Sequence, residues 1–394
     1  MPLGFVDDLN GIAKCGSDSL QLNIFLNTEI DLKKLTFHQS DAPESSKCLR
    51  MHVGQRLKPC PPLKVHDQLM SNVSEITYLG DIVSADGRNA KNILNRSQKG
   101  TGLLCQLMKV IHSVNFGYHT VEIALLLRDS VLLNGILTNI EVWHNIFNSE
   151  VEELDKIDRQ FLQKIFGVPK SVPNAALYLE TGLLPISVIV KVRRINYLHT
   201  ILQGPSTGML FRVFMIQWYF PCKGDWTIQV KTDLHDFGIE CNLNNIKHKS
   251  KEAFKRLVKT KAREYAFNML CFKKESYSKM RNLEYIELKA QEYLLNKNFT
   301  YEEIKLVFQF RTRMLSFSEN FKAGRETALC PLCNQHSDIQ TLMLECPTIC
   351  EEVKKQFRDS DNIQMSNFFN PNIDAYHVQV LKLAMGIREK KLAE

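Results

Sequence analysis

From Arg88 to the C-terminus the apolar residues recur at helical spacing, and the residues between the runs are those that end helices, so most of this chain is constrained to fold as packed helices. The spacing predicts a helix over Arg88–Ser113 and a long apolar helix or helix pair over Tyr118–Phe147, with Gly135 as the break. An amphipathic helix follows over Glu150–Phe166 and is stopped by Gly167 and Pro169. Pro173–Thr181 reads as a short helix, and Pro185 opens another that runs through Arg193-Arg194 to Leu202. Gly204-Pro205 is the clearest linker signal in the middle of the chain. Residues 206–240 hold a compact aromatic stretch with Trp218 and Gly224-Asp225-Trp226, read as core. Further helices are predicted over Asn282–Leu295 and Tyr301–Leu315, the latter carrying Arg311 and Arg313, with about two more after Glu351. At 394 residues there is room for two or three domains with sizeable cores.

Before Arg88 the pattern is that of strands. Residues 1–16 read as a β-hairpin, and its turn has two candidate positions. Asn10-Gly11 is the stronger two-residue turn signal; a turn at Val6–Asp8 would instead bring Asp7 and Asp8 to a hairpin tip. Ser17-Asp18 can cap a helix running to about Lys34, and Lys47–Val53 and Glu75–Val83 read as single strands closed by Gly54 and by Asp86-Gly87. The expected class is α+β, a small strand-containing part followed by a mainly helical one.

The apolar and charged fractions, 44% and 24%, are those of a globular protein. The most apolar run, Leu183–Val190, is too short to span a bilayer. No basic leader precedes an apolar segment, and the eleven cysteines are scattered and odd in number, so the expectation is an intracellular protein, nuclear or cytoplasmic, with no membrane partner. The net charge of +7 is unevenly placed. Lys247–Arg281 holds twelve Lys or Arg against Glu252, Glu264 and Glu275, a local excess of nine. Lys255 and Lys259 lie within it, and Phe254, Tyr265, Phe267, Phe272 and Tyr277 are interleaved. A basic helical stretch with aromatics can track a sugar-phosphate backbone and stack bases. On Arg88–Ser113, Arg88, Lys91, Arg96, Lys99 and Lys109 share less than half of the helical wheel, which suits phosphates or a solvated face.

Near the C-terminus Cys330-Pro331-Leu332-Cys333 is a C-x₂-C pair, followed after twelve residues by Cys346 and Cys350 in C-x₃-C spacing. A structural Zn²⁺ takes four N or S ligands in a tetrahedron. Two ligand sets are open: Cys330, Cys333, Cys346 and Cys350, or the first three with His336.

The order of these pieces resembles the C-terminal half of a reverse transcriptase from a non-LTR (LINE-type) retrotransposon, along most of the chain to about residue 350. Phe5-Val6-Asp7-Asp8 looks like the family's metal-binding palm motif, and Lys47-Cys48-Leu49-Arg50 like the start of the next palm motif. Tyr78-Leu79-Gly80 is similar to the primer-grip hairpin, and Leu127-Arg128-Asp129 to Glu141-Val142-Trp143 to the helical thumb region. Arg193-Arg194-Ile195-Asn196-Tyr197-Leu198 and the cysteines match the downstream segment and its terminal knuckle, except that Leu342 stands where the family places histidine.

The resemblance implies a partial palm over residues 1–86, a helical thumb over 87–204, a basic connector over 205–325 and a Cys knuckle with a helical tail over 326–394. It implies an RNA-directed DNA polymerase whose partners are an RNA template, a DNA primer and dNTPs. Asp7 and Asp8 would bind Mg²⁺, Lys47 would assist the leaving pyrophosphate, and Tyr78, Leu79 and Gly80 would position the primer end. Arg88, Lys91, Arg96 and Lys99 would hold the duplex backbone. The family's fingers and its other metal-binding aspartate are expected upstream of residue 1, so these residues alone are expected to be inactive, a two-metal site needing carboxylates from both strands. No endonuclease is legible after the cysteines. Two other classes fit the same residues: a non-catalytic nucleic-acid-binding protein derived from a retroelement, and a helical protein-interaction scaffold.

Overall fold

In the computed structural model the chain divides into two compact units, Met1–Asn92 and Ile93–Glu394. The structure describes residues 2–5, 8–11, 49–51, 64–65, 68–69, 71–78, 80–114, 116–280, 283–315, 317, 329–335, 338, 340–357, 368–369 and 373–393. The architecture is mainly α-helical, with small β-strands in the first unit and a cluster of three cysteines near the C-terminus.

The first unit contains four two-stranded pairings among its described residues. β1 (Pro2–Phe5) and β2 (Asp8–Gly11) are antiparallel, with Phe5 opposite Asp8 and Pro2 opposite Gly11. The chain therefore reverses between Phe5 and Asp8, and Asn10-Gly11 lies in a strand despite its turn propensity. β3 (Leu49–Met51), inside the strand expected at Lys47–Val53, pairs in parallel with β6 (Ser71–Val73). β4 (Lys64–Val65) and β5 (Gln68–Leu69) form a short antiparallel ladder. β7 (Glu75–Tyr78) and β8 (Asp81–Ser84) form a hairpin where the alternation predicted one continuous strand. Its two-residue connection includes Gly80 at φ +84, a left-handed conformation that disfavours any residue with a Cβ. The expected helix over Ser17–Lys34 lies outside the described residues.

α1 (Ala90–Ser113) begins in the first unit and continues into the second. In the first unit Asn92 is tied to β8: the Ile82 N–H donates to Asn92 Oδ1 at 2.5 Å, and Asn92 Nδ2 donates to Ile82 O at 2.8 Å. The next helical run is α2 (Thr120–Leu127), a π turn over Arg128–Leu132 and α3 (Leu133–Ile136). The α-helical run ends at Ile136, one residue after the break expected at Gly135. A Cβ at Gly135 would stand 2.3 Å from Leu103 Cδ1, so this glycine also permits close helix packing, and Asn139, at φ +61, leads into the 3-10 turn Ile140–Val142.

α4 (Asn148–Phe166) ends in the left-handed Gly167, as the sequence predicts. α5 (Asn174–Thr181) and α6 (Ile186–Gln203) follow. α6 is buried on several sides by Ile186, Val188, Val190, Ile195, Leu198, Ile201 and Leu202, which identifies a core helix. It packs against α4, against the 3-10 turn Ile140–Val142, and against α7 (Met209–Tyr219), α8 (Trp226–Asp236), α9 (Leu243–Lys247) and α10 (Lys251–Glu275). Gly204-Pro205 ends α6, and the chain beyond it packs back onto that helix. Trp218 and Trp226 are buried in its core, as expected.

Of the helix expected over Asn282–Leu295, the described part holds only a 3-10 turn, Glu292–Leu295. α11 (Tyr301–Arg311) opens with a Thr300/Glu303 capping box, and α12 (Pro347–Gln356) and α13 (Ala375–Ala393) complete the fold. Among the described residues no single helix is long and apolar enough to cross a membrane.

Candidate metal centre and nucleic-acid interface

The cysteine cluster is built from a turn and a helix start. The Asn334 N–H donates to Cys330 O at 2.9 Å, closing the turn that carries Cys330 and Cys333, and Asn334 takes φ +52 to leave it. Cys346 immediately precedes α12, whose first residue is Pro347. The result is a group of three thiols, Cys330, Cys333 and Cys346, whose sulfurs all lie within 4.8 Å of one another. Cys330 Sγ and Cys346 Sγ are 3.8 Å apart. That is far beyond a disulfide and equals the edge of a tetrahedron with Zn–S bonds of about 2.3 Å, roughly 3.8 Å. Cys330 and Cys346 are buried, and Met343, Ile349 and Val353 pack in the same core.

Three sulfur ligands in this arrangement suit a metal such as Zn²⁺. Burial pushes the Cys346 thiol up to about 11; the neighbouring Cys330 adds to the rise and the Ile349 N–H opposes it. A metal binding here must displace that proton. Cys350 is not in the group: its thiol donates to Leu344 O. Burial, opposed by Lys354, also raises its pKa. Of the two ligand sets open from sequence, the one containing Cys350 is thus not assembled, and His336 lies outside the described residues.

The other expected site residues are dispersed. Asp7, Lys47 and Leu79 lie outside the described residues; Asp8 starts β2 opposite Phe5, and Tyr78 ends β7 opposite Asp81. The helix expected from Arg88 starts at Ala90, so Arg88 precedes it; Arg88 and the helix residues Lys91, Lys99 and Lys109 are exposed, and Lys91 pairs with Glu75. Arg96 differs. It is only 5% exposed and its guanidinium Nη1 donates to Gly135 O at 3.4 Å. Arg96 falls at the margin of the buried stripe of Ile93, Gly100, Leu104, Leu107 and Ile111, which turns it inward and away from solvent.

On α10, Lys255 and Lys259 are exposed on successive turns of the same side. The interleaved aromatics mostly do not join them. Phe254 is buried and stacks on His199 with centroids 4.8 Å apart, and Tyr265 packs against Phe237. Phe272 is 79% exposed and Tyr277 partly so.

Several arginines are core components. Arg311 and Glu180 are both fully buried: Arg311 Nε donates to Glu180 Oε2 at 2.9 Å, and Arg311 Nη1 donates to Phe369 O at 2.6 Å. The hydroxyls of Tyr285 and Tyr293 donate to the same carboxylate at 2.6 and 2.8 Å. Burial, reinforced by the Glu180 charge, holds both phenols well above their usual pKa. Arg128 pairs similarly with Asp158, through Nε at 2.6 Å and Nη2 at 2.7 Å, and Tyr178 donates to that carboxylate at 3.1 Å. Arg194 pairs with Asp233. The apolar spacing carried a signal for these inward arginines: Arg311 continues the stripe of Ile304, Val307 and Phe308, and Arg128 that of Val121 and Ala124.

Comparison with protein-family models, with curated proteins and with solved structures finds no match to this chain.

Proposed function

We propose that the chain is the C-terminal, template–primer-gripping portion of a reverse transcriptase of the non-LTR type. The observation that carries the reading is the register of the first hairpin. Phe5 pairs with Asp8, so the reversal falls within Phe5-Val6-Asp7-Asp8 and not at Asn10-Gly11, which supports an aspartate-bearing catalytic turn. The β7–β8 hairpin turning at Gly80 is the second local shape the reading calls for.

In this reading Asp7 and Asp8 would hold Mg²⁺, Lys47 would lie near the leaving pyrophosphate, and Tyr78–Gly80 would support the primer end. Arg88, Lys91 and Lys99 would face the duplex phosphates; Arg96 would not, because it is buried. Lys255 and Lys259 would contact nucleic acid beyond the duplex. Cys330, Cys333 and Cys346 would hold Zn²⁺ with His336 as fourth ligand, the thiol of Cys350 being directed at Leu344 O. The metal would be structural, fixing the start of α12.

A two-metal phosphoryl transfer needs carboxylates from more than one strand, and the resemblance assigns that role to the adjacent pair Asp7 and Asp8. Residues 1–394 by themselves are therefore proposed not to extend a primer. The test is primer extension on poly(rA)/oligo(dT) with Mg²⁺ or Mn²⁺, beside an Asp7→Ala/Asp8→Ala variant. Extension that the double variant loses would overturn this part of the reading. Absence of extension with salt-sensitive duplex binding retained fits it, and fits equally the second reading, a non-catalytic nucleic-acid-binding protein, for which the exposed lysines of α1 and α10 and the cysteine group suffice.

A further inference from the structure

Apart from Arg212 and Gln217, the residues of α7 are all apolar or aromatic, and a helix apolar all round is ordinarily buried all round. Only one face of α7 is. Phe214 and Trp218 are buried with ring centroids 5.4 Å apart, and Trp226 of α8 meets Phe214 edge-on. α8 also fastens the backbone of α7. Thr227 Oγ1 donates to Gln217 O at 3.0 Å, and Lys231 Nζ donates to Trp218 O at 2.8 Å. The inner face is thus held, and the outer face cannot roll inward.

At 100° per residue Met209, Val213, Ile216 and Phe220, which caps the helix, fall in one stripe about 60° wide. All four are exposed, Ile216 by 62% and Phe220 by 77%. Leu210 flanks the stripe on one side, Tyr219 and Arg212 on the other, and all three are exposed as well. The six apolar and aromatic residues together expose roughly 700 Å², more than the ~300–600 Å² of the largest patch on a typical monomer. Two such faces brought together would remove up to about 1,400 Å² from water, within the ~1,200–2,000 Å² of a standard specific interface.

The stripe also complements itself. A second α7 set antiparallel, about a twofold axis level with Phe214 and Met215, places its Ile216 against Val213 and its Phe220 against Met209. The thioether of Met209 then meets the ring of Phe220, a favourable contact. Arg212 falls on the same flank as the Tyr219 ring of the second copy, where a guanidinium can lie over the aromatic face. Arg212 is the single cation of α7, and α7 has no carboxylate, so the face offers little to an anionic membrane or a charged partner.

We propose that the outer face of α7 is a dimer interface, at which two copies of this chain pair antiparallel through Met209, Val213, Ile216 and Phe220. The pairing uses none of the residues assigned to nucleic acid or metal, so it holds or fails apart from that reading.

The experiment is sedimentation velocity of the full chain at tens of micromolar, a concentration that fills an interface of this size when its affinity is micromolar or tighter. The wild type is expected at twice the 45.4 kDa of one chain. Ile216→Glu and Val213→Lys each bury unpaired charge at the centre of the pair and are expected to weaken it about a hundredfold or more, giving monomers. Both positions are exposed in the single chain, so their circular dichroism spectra should match the wild type. Mixed in equal amounts, the two variants are expected to regain the dimer. The introduced lysine of one chain then meets the introduced glutamate of the other, and Ile216 of the first meets Val213 of the second. A wild type that stays at 45.4 kDa would overturn the proposal, and its co-sedimentation with phosphatidylcholine vesicles would give the face to a membrane instead. A dimeric Ile216→Glu would overturn it by placing the contact elsewhere. Variants that remain monomeric after mixing would overturn the antiparallel pairing.

Discussion

Glu180→Gln changes one carboxylate oxygen to an amide nitrogen at the centre of the helical unit. In the wild type Glu180 is fully buried and accepts from Arg311 and from the Tyr285 and Tyr293 hydroxyls. The amide has nearly the same shape, so packing is retained. Arg311 would remain fully buried, keep its bond to Phe369 O and lose its counter-charge. Some of the donors that met carboxylate oxygens would meet an NH₂ group instead. Removing one partner of a buried, hydrogen-bonded ion pair costs about 3–5 kcal/mol. For a unit of roughly 300 residues, with an unfolding entropy near 2.1 cal/mol/K per residue, that corresponds to a fall in Tm of about 5–8 °C. Arg311→Met in the same background removes the stranded cation, so Glu180→Gln/Arg311→Met should be less destabilised than the sum of the two single variants. Differential scanning calorimetry of the wild type, both single variants and the double closes the cycle. The folded Glu180→Gln protein should bind nucleic acid as the wild type does, because Arg311 faces the core. A fall of less than about 2 °C, or strictly additive variants, would refute the reasoning.

Metal content by mass spectrometry of the purified protein should give about one Zn²⁺ per chain; Cys346→Ser should lose it and Cys350→Ser should keep it. Asp155 gives a pH signature. Burial, with the nearby Asp158 adding, pushes its carboxyl up to about 6 from 3.8. A carboxyl whose folded pKa exceeds its unfolded value contributes stability below about pH 4 and loses it as pH rises through 6. Asp155→Asn retains an acceptor for the Ile186 N–H, now at 2.8 Å, and never ionises. Relative to the wild type, this variant should gain stability between pH 4 and 7 by up to about 3 kcal/mol, with no further gain above pH 7, as urea melts at several pH values would read.

Helix content was the part of the fold most legible in the sequence. Gly167 and Pro185 mark real helix ends because a left-handed cap and a missing N–H act locally. Gly135 and Gly204-Pro205 also lie at helix ends, but what surrounds them was not legible. The Leu103 side chain of a neighbouring helix packs close over Gly135, and beyond Gly204-Pro205 the chain packs back onto α6; both are tertiary facts. The same distinction divides the charges. Lys255, Lys259 and Arg96 were all expected on a nucleic-acid-binding surface; Lys255 and Lys259 are exposed, whereas Arg96 lies inside, as do Arg128, Arg194 and Arg311. An arginine that continues an apolar stripe is a core arginine when a carboxylate on a distant helix meets it, and sequence spacing gives only the stripe. Cys330, Cys333 and Cys346 were visible from their spacing, but the orientation of Cys350 depends on Leu344 O, which spacing does not encode.

The central claim is that Arg88 and the exposed cations of α1 and α10 grip nucleic acid. It is tested most directly by fluorescence anisotropy of an RNA template annealed to a DNA primer, titrated with the full chain over a range of salt. The account predicts a linear fall of log K with log salt, and a slope shallower by about 1.8 in Arg88→Gln/Lys99→Gln, at roughly 0.9 per phosphate. Absence of binding at low salt, or a slope that the double variant leaves unchanged, would contradict it.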